Sequence, residues 1–131
     1  MEKQTYTYDE AFAKSLEYFK GDELAARVWV NKYAVKDSFG NIYEQSPEDM
    51  HWRIANEVAR IEAKYANGLS AQELFELFDH FKYIVPQGSP MTGIGNDFQV
   101  ASLSNCFVIG MEGAADSYGA IIRIDEEQVQ L

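Results

Sequence analysis

The chain has 131 residues, 47% hydrophobic and 14% aromatic, which suits one folded domain with a modest core and excludes a disordered chain. Its formal net charge of -10 disfavours non-specific contact with nucleic acid or an anionic membrane surface, while leaving room for a local phosphate site built from backbone N–H groups. With no long apolar run, no signal-peptide core behind MEKQTYTYDE and one cysteine that cannot close an internal disulfide, a cytoplasmic location is the default expectation.

Residues 1–83 read as helical. Thr7-x-x-Glu10 predicts a capping box that opens a helix through Phe12, Leu16 and Phe19. Gly21 is the expected left-handed C′ residue, and Asp22 the cap of the next helix. That helix carries Leu24, Val28 and Val30, with Trp29 and Tyr33 nearby. Asp37 to Gln45, DSFGNIYEQ, reads as a loop. Ser46-Pro47-Glu48-Asp49 is a helix start: a cap, a proline at the first position and acids at the positive end of the dipole. Met50, Ile54, Val58, Ile61 and Tyr65 then mark one helix face. Asn67-Gly68 stops it. Ser70-x-x-Glu73 is a second capping box, and Leu74, Leu77, Phe78 and Phe81 form the following stripe.

The period changes near Pro86. The stretch to Asn96 predicts an irregular, ordered loop. Residues 101–109 read as a buried or half-buried strand, and 110–113 as a turn. A short helix is expected from Asp116 or Ser117, and RIDEEQVQL reads as the opening of another. The expected architecture is mainly α. Residues 1–85 form a helical domain and residues 86–131 begin a mixed α/β region.

Candidate chemistry concentrates in the second region. Cys106 sits at the head of an apolar run. Alone it reads as a small buried hydrophobe; a redox role would draw hydrogen bonds from Ser102, Ser104 and Asn105. A sole cysteine cannot cycle as a dithiol, so a redox role needs a second thiol from elsewhere. The loop around Ser89 is either a simple helix-to-strand connection or a place where hydroxyls and backbone amides meet a phosphate or ribose. Asp116-Ser117-Tyr118 reads as a helix N-cap, which is also compatible with phosphate binding. Gly93-x-Gly95 is not a dinucleotide fingerprint, because the preceding strand and third glycine are missing. His51 and His80 are far apart and no zinc-type cluster exists, so no metal site is expected. Trp29, Trp52, Phe75, Phe78 and Phe81 read as packing residues, and His51 as a surface or packing histidine. The acidic pairs Asp22/Glu23, Glu48/Asp49 and Glu126/Glu127 read as first-turn helix charges.

The stretches EYFKGDELAARVWVNKYAVKD, SPEDMHWRIANEVARIEAKY, ELFELFDHFKYIVPQGSPM, SLSNCFVI and DSYGAI, in that order, resemble the start of the large (catalytic) subunit of ribonucleotide reductase. The resemblance covers nearly the whole chain. It implies a helical N-terminal region followed by the first strand or strands of a ten-stranded α/β barrel, truncated here. The parent enzyme would be a ribonucleoside-diphosphate reductase, making deoxyribonucleotides for DNA synthesis by thiyl-radical chemistry, and the isolated chain would be inactive.

By the same resemblance, Cys106 is one of two reductant thiols. Ser89 is the hydroxyl residue that contacts substrate, with Ser104 and Asn105 as further candidates. Asp116, Ser117 and Tyr118 belong to a site for a deoxynucleoside triphosphate effector. SPEDMHWR, IVPQGSPM and a start without an ATP-cone look most like the adenosylcobalamin-dependent (class II) branch. The alternative is the class I branch, with a metal-radical small subunit. No cofactor is expected on this chain itself. Implied partners are the ribonucleotide, the effector, a thioredoxin-like reductant and a second copy of the full-length subunit, but no nucleic acid and no membrane. Two other readings are a stand-alone nucleotide-binding or regulatory module, and a helical protein-association module exposing the strand at Leu103 to Ile109.

Overall fold

The computed structural model describes residues 4–110, 113 and 116–130. Their helices are α1 (Tyr8–Tyr18), α2 (Glu23–Lys32), α3 (Pro47–Glu62), α4 (Ala71–Phe78), α5 (Gly88–Gly93) and α6 (Tyr118–Val129), with a 3-10 turn at Asp79–Phe81. Helix α1 packs on α2 and α3 packs on α4, and a contact between α1 and α3 joins the two pairs. Between them lies one core, built from Ala11, Trp29, Val30, Ile42, Met50, Ile54, Ala55, Leu74 and Phe78. Extended pairing among the described residues is limited to the isolated bridges Tyr6–Ile42 and Lys36–Ile42, which seat Ile42 in that core.

Local signals set most of the helix starts. Thr7 and Glu10 form the expected capping box, as do Ser70 and Glu73. The Asp22 carboxylate accepts from the Ala25 N–H at 2.9 Å. The DSFGN loop is organised by Asp37, whose carboxylate accepts from the N–H groups of Phe39 and Asn41, the Asn41 amide and the Tyr43 hydroxyl. Those donors, the Asn41 amide foremost, hold its carboxyl below the usual range.

Several expectations need correction. The residue at C′ of α1 is Lys20, at φ 55, with Gly21 one place further at φ 92. The Lys20 N–H donates to the Glu17 carbonyl and the Gly21 N–H to the Leu16 carbonyl, the paired bonds of a Schellman ending. On α2 the inward face is Ala26, Trp29 and Val30, whereas Leu24 is 72% exposed. The large indole selects the face, and Ala26 is small enough to face α1, which buries only Ala11 and Ser15. Helix α3 ends at Glu62, before Asn67-Gly68, leaving Tyr65 exposed. Gly68 is still required, because a Cβ there would collide with the Glu62 carbonyl. Helix α4 ends at Phe78, and His80 and Phe81 take left-handed backbone angles, φ 53 and φ 54.

The loop expected at 86–96 contains a helical turn, α5. Pro90 is its third residue, where no intrahelical N–H is needed, so the proline does not oppose it. The strand expected over 101–109 does not form. That segment has no regular secondary structure and is almost wholly exposed, and none of the described segments pairs with its backbone. The barrel strands implied by the resemblance are therefore not part of the described fold. Part of the turn expected at 110–113 lies outside the described residues. The two helices expected near the end are one, α6, capped by Ser117. Glu126 and Glu127 lie near its end rather than in its first turn.

Candidate functional site

Helix α5 is six residues long, too short to persist alone, and the Gln87 side chain does not cap it. It is held from its C-terminal end by Arg53 of α3. The guanidinium donates to the Met91 carbonyl at 2.7 Å and to the Ile94 carbonyl. Its Nε donates to Glu44 Oε1 at 2.7 Å, and Glu44 Oε2 accepts from the Val35 N–H at 3.0 Å. The Arg53 and Glu44 side chains are only 13% and 6% exposed, so this ion pair is an internal tie between the segment that follows α2, α3 and α5. Burial pushes the Glu44 carboxyl above its usual range, against the pull of Arg53. Gly95, at φ 69, lets the chain pass over the arginine: a Cβ there would sit 2.9 Å from Arg53 Cγ.

So anchored, α5 presents Ser89 and Thr92 to a shallow cavity of about 450 Å³, lined also by Lys32, Tyr33, Gly88 and Asn105. Tyr33 lies against Gly88, where a Cβ would be 3.7 Å from the ring edge. Asn105 reaches back across the loop: its Oδ1 accepts from the Ser89 N–H at 3.0 Å and its amide donates to Gln87 Oε1 at 2.9 Å. The structure therefore brings together Ser89 and Asn105, which are sixteen positions apart in sequence. Cys106, the next residue, is exposed in this chain rather than buried. Ser104 is exposed too, its N–H donating to Ser102 Oγ, and it does not line the cavity. Asp116, Ser117 and Tyr118 are not part of it either. Ser117 Oγ accepts from the Ala120 N–H at 3.2 Å, as a cap should, and Tyr118 is 80% exposed.

The model of the family described as ribonucleotide reductase, all-alpha domain, matches residues 19–92, more than half of the chain. The chain belongs to this family. The matched span runs from the end of α1 to Thr92 of α5, so it takes in the Arg53 tie and Ser89. No curated protein and no solved structure matches the chain.

At the edge of the ribonucleotide reductase all-alpha span, from Tyr18 to His80, lies a second polar cluster, which is a packing feature. His51 of α3 is fully buried between Phe78 and Phe81, the Phe81 ring standing edge-on at 4.7 Å. The Tyr18 hydroxyl is 3.4 Å from His51 Nδ1, donates to Asp79 Oδ1 at 3.2 Å and accepts from the His80 N–H at 2.6 Å. Burial lowers the His51 pKa to about 4 and holds the Tyr18 phenol well above its usual range. Both are neutral near pH 7. The Tyr18 bonds stabilise the turn that ends α4.

Sequence reasoning missed Arg53, Glu44 and Lys32. Arg53 follows Met50 by three positions, on the buried side of α3, and a charged residue there signals an internal partner. Glu44 lies in a loop with no helical context, and Lys32 reads as an ordinary last-turn cation. Among the described residues, no group of three or more His, Cys, Asp or Glu side chains could hold a metal ion, and no helix is long and apolar enough to cross a membrane.

Proposed function

We propose that this chain supplies the N-terminal all-α domain and the first substrate-site residues of a ribonucleotide reductase large subunit, reducing ribonucleotides to 2′-deoxyribonucleotides. The supporting observation is the Ser89–Asn105 contact. It draws the residue before Cys106 onto α5, the last element of the family match. Substrate hydroxyl or phosphate oxygens would bind Ser89, and the Cys106 thiol would stand close by.

In the reaction the 2′ C–O bond breaks, a C–H bond takes its place and the hydroxyl leaves as water. Two thiols become one disulfide. Cys106 supplies one S–H, and a cysteine outside this sequence supplies the other. A thioredoxin-like dithiol then reduces the disulfide. Radical initiation belongs to adenosylcobalamin in the branch that SPEDMHWR and IVPQGSPM favour, or otherwise to a metal-radical subunit. No step above depends on which one serves. Asp116, Ser117 and Tyr118, at the start of α6, are the proposed effector contacts, with a capped helix N-terminus suited to a triphosphate.

The test is the large subunit carrying this chain with Cys106→Ser. Turnover with a dithiol reductant should disappear while substrate binding persists. Wild-type turnover in that variant would refute the assignment. A second reading, an association module, draws on the exposed Val100, Leu103, Phe107 and Val108.

A further inference from the structure

The substrate of the proposed reaction is a polyanion, and the chain carries a net charge of -10. The mean field of the molecule therefore opposes binding, and a local cation must offset it. Among the described residues lining the Ser89 cavity, the cation is Lys32, in the last turn of α2. Its ammonium lies 5.4 Å from the centroid of the Tyr33 ring and makes no ion pair among the described residues. The neighbouring cations are already committed. Lys36 Nζ donates to the Val30 and Asn31 carbonyls, and burial lowers its pKa. Arg53 is bound to Glu44 and to the α5 carbonyls. A smaller cavity of about 170 Å³ shares Lys32, Tyr33 and Thr92 with it, so Lys32 borders both depressions. The same Ser89 cavity is lined by the hydroxyl-bearing residues Ser89 and Thr92.

We propose that Lys32 is the phosphate contact of this cavity, pairing with a phosphate oxygen of the ribonucleotide whose other polar groups meet Ser89. This rests on the reading of Ser89 as a substrate residue. The competing role is a structural one, in which Lys32 merely offsets the dipole of α2 at its C-terminal turn.

The two roles separate in the large subunit that carries this chain. Lys32→Gln removes the charge and keeps most of the stem; Lys32→Arg keeps the charge. Pairing with a phosphate oxygen predicts that Lys32→Gln lowers kcat/KM for a ribonucleotide about tenfold or more, through KM rather than kcat. Lys32→Arg should restore most of the loss. The KM of the Gln variant should also rise less steeply with salt than the wild-type KM. An unchanged KM in Lys32→Gln, with Ser89→Ala impaired, overturns the Lys32 assignment and leaves the Ser89 reading standing. If Ser89→Ala is also silent, that reading falls as well and takes the Lys32 assignment with it. A KM rise that Lys32→Arg does not restore, accompanied by a lower melting temperature, assigns Lys32 to structure and overturns the proposal.

Discussion

Arg53 is where a single side chain has the widest reach. Replacing it with methionine strands the buried Glu44 carboxylate and removes the donors of the Met91 and Ile94 carbonyls. Removing one partner of a buried ion pair costs roughly 3–5 kcal/mol. Urea unfolding of Arg53→Met should show a loss of that order. Adding Glu44→Gln should recover part of it, since the stranded charge dominates the cost. Equal losses in the single and double variants would contradict this. His51 makes a pH prediction. Its folded pKa, about 4, lies below the ordinary value of 6.5, so the unfolded chain binds more protons between those values. His51 thus contributes stability that is complete above pH 6.5 and is lost as pH falls toward 4, on the order of 2–3 kcal/mol. Stability of wild type should fall between pH 6.5 and 5 more steeply than that of His51→Gln; parallel curves would rule this out.

The individual helices show what a local pattern can and cannot specify. Caps are local, and Thr7, Asp22, Ser70 and Ser117 all accept the backbone N–H groups that their spacing implies. Ser46 is the exception: its side chain makes no cap bond, and the Asp49 carboxylate instead accepts from the Gln45 N–H at 2.8 Å. Ser70→Ala should therefore cost about 1 kcal/mol in urea unfolding, and Ser46→Ala only a few tenths. A reversed order would contradict the geometry. Which face of α2 points inward was not legible, because Trp29 packs by shape and Leu24 only by hydropathy. Helix α5 was not legible either. Six residues with two glycines and a proline carry no helical signal, and what holds them is Arg53, placed by α3. The strand expected at 101–109 was a sound pattern with nothing to pair with, since strand structure depends on a neighbour as well as on residue type.

For the molecule as a whole, the core is confined to the region from α1 to α4, while residues 98–108 and α6 expose Val100, Leu103, Phe107, Val108, Ile121 and Ile122. In a reductase large subunit those side chains would be covered by the rest of the enzyme. The isolated chain should consequently self-associate at high concentration in light scattering, more so in high salt, where the charge of -10 is screened. A clean monomer throughout would weaken the association reading and show that charge repulsion suffices. The grouping of Ser89 with Asn105 was partly legible, since both lie in the hydroxyl- and amide-rich stretch ahead of Cys106. Lys32 was not, because it enters the cavity from a helix more than fifty residues earlier.

The central claim is that Cys106 is a reductant thiol, and it is tested most directly by mapping disulfides after one round of substrate reduction. The pre-reduced large subunit carrying this chain would be given ribonucleotide with no external dithiol, then trapped and digested for mass spectrometry. The account predicts that Cys106 is recovered in a disulfide with a cysteine outside this sequence, in proportion to the deoxyribonucleotide formed. Product formed while Cys106 remains a free thiol would contradict it.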